Sequence, residues 1–75
     1  MNKERRNKIK KIIQEIERIK NNLQTILQDE EFAFDNMPEN LQSSMRGEES
    51  EEAIECISEA VDNLEETVDK LSEIN

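Results

Sequence analysis

The chain has no histidine, no tryptophan and no tyrosine, and it has one cysteine, one proline and one glycine. Without histidine, imidazole acid–base catalysis is excluded, as is a serine or thiolate nucleophile served by a histidine base. The Glu-x-x-His pairs of di-iron bundles are absent for the same reason. One glycine rules out a glycine-rich phosphate loop, and no stretch has the Asp-x-Asp/Asn-x-Asp/Asn-Gly spacing of a calcium-binding loop. Carboxylates abound, but nothing in the sequence singles out one whose proton affinity would be raised for catalysis. No enzyme activity, metal or cofactor is therefore expected. A lone Cys56 has no internal disulfide partner, which fits a reducing compartment. No apolar run is long enough for a secretory leader or a membrane span, so the expected location is cytoplasmic and no membrane contact is expected.

What is present is charge. Of 75 residues, 39% are charged and only 3% aromatic, and the formal net charge is −9, which disfavours direct nucleic-acid binding. The charge is unevenly spread. Residues 1–28 hold eight Lys/Arg against three Asp/Glu, a net of +5, and residues 29–75 hold two against sixteen, a net of −14. The simplest use of this asymmetry is mutual attraction between two complementary helices.

Apolar spacing supports two helices. Ile9, Ile12, Ile13, Ile16, Ile19, Leu23, Ile26 and Leu27 recur in steps of three and four. In heptad notation Ile9, Ile16 and Leu23 are a, Ile12, Ile19 and Ile26 are d, and Ile13 and Leu27 are e. Ile54, Ile57, Val61, Leu64, Val68 and Leu71 repeat the pattern, widened by Ala53, Ala60 and Ile74. Pairs such as Glu4 with Lys8 and Glu66 with Lys70 suit exposed faces. The fold expected is all-α, one domain over 1–75, with helix 1 at about 2–35, a loop with a short turn at about 36–43 and helix 2 at about 44–73. This is an antiparallel helical hairpin. An a/d/e stripe is wider than one seam needs, and a lone hairpin would leave part of it wet. The hairpin is therefore expected to self-associate into a four-helix bundle or a higher helical oligomer, a homodimer being simplest. The expected oligomer core is Ile9, Ile12, Ile16, Ile19, Leu23, Ile26, Ile54, Ile57, Val61, Leu64, Val68 and Leu71.

The only proline and glycine fall in one stretch, FDNMPENLQSSMRGEES, residues 34–50. Pro38 ends the first helix, Asn36 with Glu39 has the spacing of a capping box, and Ser43 or Ser44 can cap the second helix. Carried into this stretch, the heptad register puts Glu30, Ala33, Gly47 and Ser50 at inward positions where large aliphatics would otherwise sit. Two readings follow. Either the loop fills that hollow itself, with Phe32, Phe34, Met37, Leu41 and Met45 within reach, or a ligand pocket opens there, lined by Phe34, Asn36, Asn40, Gln42, Arg46, Gly47 and Ser50. Arg46, alone among acids, is either an ion-paired surface residue bridging to Glu30 or Glu49, or a fork for phosphate or carboxylate. In a head-to-tail dimer Arg5 and Arg6 of a partner protomer would be carried towards the loop as further anion contacts. The competing use of that basic cluster is pairing with the acidic end of helix 2.

The segment FDNMPENLQSSMRGEESEEAIE, with MNKERR at the start and DNLEE at 62–66, resembles small acidic helical-hairpin proteins of bacteriophages and mobile elements of Gram-positive bacteria. The match is specific at Asp35 to Gln42, Ser44 and Arg46 to Glu48, and it departs at Met45, where an acidic residue is usual. The resemblance implies a phage-type origin and a loop whose residues serve more than turning the chain. Small phage accessory proteins act by binding host machinery, so a role in the cytoplasm of a bacterial host against a defence system is the expectation carried forward. Two mechanisms are open. One is sequestration of a small nucleotide-like signal in loop-end pockets of an oligomer. The alternative is an acidic decoy or direct inhibitor covering a basic nucleic-acid-binding surface of a host protein. Beneath both lies a purely structural, scaffolding hairpin.

Overall fold

A computed structural model describes residues 1–74. The chain is all-helical: α1 spans Lys3–Asp35, α2 is a single turn over Glu39–Gln42, and α3 spans Met45–Ser72. Each boundary has a local cause. Asn2 caps α1, its side-chain oxygen accepting from the Arg5 amide at 2.9 Å. At the other end Asn36 closes the helix twice: its backbone N–H and its side-chain Nδ2 both donate to the Phe32 carbonyl, at 3.1 and 2.7 Å. Asn36 thus finishes α1 and does not cap α2. Pro38 occupies that cap position with no side-chain hydrogen bond, and its carbonyl accepts from Leu41 and Gln42. Ser44 caps α3, accepting from the Gly47 amide, and its hydroxyl also donates to the Leu41 carbonyl.

α3 runs back antiparallel along α1, giving a rod of 58 × 15 × 12 Å. The Ser50 hydroxyl donates to Glu30 Oε1 at 2.7 Å near the loop, and Ile74 lies with Lys3, Arg6 and Lys10 at the open end. Residues whose numbers add to roughly 80 therefore stand at the same height.

Burial shows which positions face inward. On α1 they are Ile9, Ile13, Ile16, Lys20, Leu23, Leu27, Glu30 and Phe34, alternating steps of four and three. On α3 they are Gly47, Ser50, Ile54, Ile57, Val61, Leu64, Val68 and Leu71, with Ala53 and Ala60 half-buried at the edge. The seam within the chain thus uses the a and e positions of α1. The d positions expected in the core, Ile12, Ile19 and Ile26, are left 46–52% exposed. Lys20 is half-buried in the seam, as a long aliphatic stem allows while its ammonium stays wet. Val61 and Val68 are the only buried hydrophobics among the described residues.

Candidate functional site

At the loop end the backbone itself occupies the space that small residues leave. Gly47, at the third position of α3, is buried because α2 crosses it. A methyl group there would overlap the Gln42 carbonyl oxygen and stand 2.5 Å from the Leu41 carbonyl oxygen. No described residue has a positive φ, so glycine is needed here for close approach and not for conformational freedom. Gln42, half-buried, donates from Nε2 to the Phe34 carbonyl at 3.0 Å and ties the loop to the end of α1. Ser50 is buried at 5% exposure and satisfied by Glu30. Glu30 is thereby held on Ser50, and neither Glu30 nor Glu49 pairs with Arg46.

The residues that the sequence grouped as a ligand site therefore separate into three sets. Gly47, Ser50 and Gln42 hold the loop down. Asn36, Asn40 and Arg46 are exposed on its surface, and Arg46 has no ion pair among the described residues. Phe34 alone lines a groove. Arg5 and Arg6 stand at the far end of α1, on the order of 45 Å from the loop along the helix. Around the loop Phe32, Leu41 and Met45 are exposed, at 73%, 38% and 75%.

The groove runs along one flank of the seam with a volume of about 490 Å³. Its floor is Phe34 and Ile54, and its walls carry five carboxylates, Glu31, Asp35, Glu51, Glu55 and Glu59, with Ser58 among them. The chemistry on offer is an apolar floor under a rim of negative charge, suited to a cationic side chain with an aliphatic stem or to a basic amphipathic segment.

This groove was not foreseen from the sequence, yet a simple signal marks it. Glu31, Asp35, Glu51 and Glu55 each come one residue after a seam residue: Glu30, Phe34, Ser50 and Ile54. Along α3 the same step after the seam gives Glu48, Glu51, Glu55, Ser58, Asp62, Glu65, Asp69 and Ser72, all exposed and none basic. Antiparallel helices reverse angular sense together with direction, so residues just after the seam on both helices fall on one side of the pair. That side is the acidic face.

Residues one step before the seam fall on the other side. On α1 they are Ile12, Ile19, Ile26 and Ala33, alternating with Lys8, Glu15, Asn22 and Asp29. On α3 they are Ala53, Cys56, Ala60 and Thr67, together with Arg46, Glu49, Asn63 and Lys70. The first face is acidic along α3, whereas the second carries a stripe of aliphatic and small residues among charges of both signs. Among the described residues the only ion pairs are Glu4–Lys8 at 3.8 Å and Lys70–Glu73 at 3.5 Å, both exposed. Lys70 pairs with Glu73 and not with Glu66. No ion pair joins α1 to α3, so the expected pairing of the basic amino-terminal cluster with the acidic end of α3 does not form within the chain.

No three metal-ligating side chains converge among the described residues, and no helix is long and apolar enough to cross a membrane. No family model, no curated protein and no solved structure matches the chain.

Proposed function

We propose that the protein is a non-enzymatic binding module, a self-associating helical hairpin that uses its acidic face to cover a basic surface on another protein. The observation that carries this reading is the row of carboxylates one step after the seam, together with the Phe34 and Ile54 floor beside it. Charge without shape would give a weak, unselective contact. The groove adds an apolar foothold at which a bound side chain is partly desolvated, and such contacts carry most of the affinity of an interface. The surface complementary to it is one evolved to hold nucleic acid: rows of Lys and Arg with apolar stems. With the resemblance to phage accessory proteins, the partner class is a host defence protein whose nucleic-acid groove is masked.

Capture of a nucleotide-like signal at the loop end has less support. The carbonyls of Leu41 and Gln42 crowd Gly47, Ser50 is bonded to Glu30, and of the expected loop-end set Phe34 alone lines the acidic groove.

The test is a pull-down of proteins from a bacterial host extract at about 0.1 M salt, followed by washing of the captured complex at about 0.5 M. Electrostatic covering predicts release by salt, and predicts that Glu51→Lys with Glu55→Lys abolishes capture. A complex that survives both treatments overturns the proposal. Isothermal titration with cyclic dinucleotides and ADP-ribose derivatives tests the loop-end reading separately.

A further inference from the structure

The face opposite the acidic one has chemistry of its own. Ile12, Ile19 and Ile26 recur every seven residues, about 10.5 Å apart along α1, each roughly half exposed. Across the seam Ala53, Ala60 and Thr67 recur at the same interval on α3. Heights match, because each pair (Ile26 with Ala53, Ile19 with Ala60, Ile12 with Thr67) has numbers adding to about 79, within one residue of the register set by Glu30 and Ser50. The face is a row of large aliphatic knobs beside a row of small residues.

The rod also exposes more surface than its mass requires. A compact monomer of 8.8 kDa shows about 4,800 Å² by the usual scaling, whereas this chain shows 5960 Å². The excess, on the order of 1,200 Å² per chain, becomes about 2,400 Å² when two chains bury it together, which is the size of a permanent interface. The radius of gyration, 17.2 Å, is likewise well above the roughly 11 Å of a compact 75-residue domain.

We infer that the occupant of this face is a second copy of the chain, related by a two-fold axis along the length of the rod, so that both loops lie at the same end. A closed dimer has two such symmetric arrangements. With the axis along the rod, α1 of each chain lies on α3 of its partner. Each isoleucine then faces an alanine or threonine at its own height, so that large side chains meet small ones. The charges also agree in sign. α1 has eight basic and seven acidic residues, a net of +1, with its basic residues all between Lys3 and Lys20. It meets the partner's α3, which carries two basic and ten acidic residues, a net of −8. With the axis across the rod, the loops lie at opposite ends and α1 packs on α1 while α3 packs on α3. Isoleucines then crowd isoleucines, alanines leave a gap against alanines, and two helices of net −8 run side by side. Size and charge both select the first arrangement. It turns the two acidic grooves outward on opposite flanks near one end of the bundle, and it keeps Arg5 and Arg6 of either chain away from both loops.

The inference rests on the self-association in the functional reading but not on what the acidic face binds. Its test is a distance. A nitroxide on Asn40→Cys, an exposed position in α2, is introduced in a Cys56→Ser background and measured by pulsed dipolar EPR on the full chain. Loops at one end predict a label separation below about 30 Å. Loops at opposite ends predict roughly 50 Å, the length of α1, and would overturn the arrangement while leaving the dimer standing. Absence of any dipolar coupling at 100 µM protein would overturn self-association itself. Neither outcome touches the salt-release test of the acidic face. Ile19→Lys supplies the second measurement. Light scattering is expected to show the mass of one chain instead of two, and an unchanged dimer for this variant would refute the assigned face.

Discussion

Replacing Gly47 with alanine sets two effects of opposite sign against each other, and the structure decides which wins. In an open helix interior the change stabilises by about 1 kcal/mol through backbone entropy and propensity. At Gly47 the new methyl would run into backbone, with the Gln42 carbonyl oxygen inside contact distance and the Leu41 oxygen at 2.5 Å. Backbone atoms cannot rotate away as a side chain can, so the single turn α2 has to withdraw as a unit. Its withdrawal strains the Gln42 Nε2 bond to the Phe34 carbonyl and the Ser44 bond to the Leu41 carbonyl. Two neutral hydrogen bonds are worth about 1 kcal/mol each, and overpacking of this kind costs 1–3 kcal/mol. Set against the propensity gain, and with overpacking at the low end of that range, the net expectation is a loss of about 2 kcal/mol. For a domain of this size that lowers the melting temperature by roughly 10 °C. The assay is urea and thermal unfolding followed at 222 nm, with wild type and variant at equal concentration because association adds to apparent stability. A Gly47→Ala variant as stable as wild type, or more so, would refute the claim that α2 is seated on α3.

Other residues of the loop end give smaller, separable effects. Ser50→Ala leaves Glu30 half-buried without its partner and is expected to cost about 1 kcal/mol after allowance for solvent at the carboxylate, measured by urea unfolding. Ser44→Ala removes the cap of α3 and should cost about 1 kcal/mol, with loss of amide protection confined to the first turn in hydrogen exchange. Arg46→Ala should alter stability by less than about 0.5 kcal/mol, because the side chain is exposed and unpaired among the described residues. Any change in partner capture by that variant then reports recognition and not folding.

The local elements were legible in the residues before any packing was known. The Pro38 break and the Ser43–Ser44 pair mark the helix ends because capping and the missing proline amide act within a few residues. Isoleucine and leucine in steps of three and four mark the apolar sides, and the smallness of Gly47 and Ser50 marks the place where something approaches closely. Whether that something was a ligand or the chain itself could not be read from small residues alone, since both leave the same sequence signature. What approaches Gly47 is the carbonyls of Leu41 and Gln42, and what approaches Ser50 is the Glu30 carboxylate. The capping box expected of Asn36 and Glu39 does not form, because the Asn36 amide turns back to the Phe32 carbonyl and Pro38 takes the cap position of α2.

Sequence by itself determined that this chain is helical, interrupted once, and acidic in its second half, because those properties follow from side-chain chemistry and spacing along one helix. Only tertiary structure decided which of three apolar positions per heptad meets α3. A stripe built from a, d and e can bury a with d or a with e, two choices about 50° apart in rotation, and nothing within one helix distinguishes them. Rotation onto a and e, fixed by the register of Glu30 on Ser50 and by the crossing of α2 over Gly47, leaves Ile12, Ile19 and Ile26 outward on one side. The same rotation sets the carboxylates in a row on the other. The two contrasting faces are therefore a consequence of one angle between two helices, and that angle is a property of the packed pair.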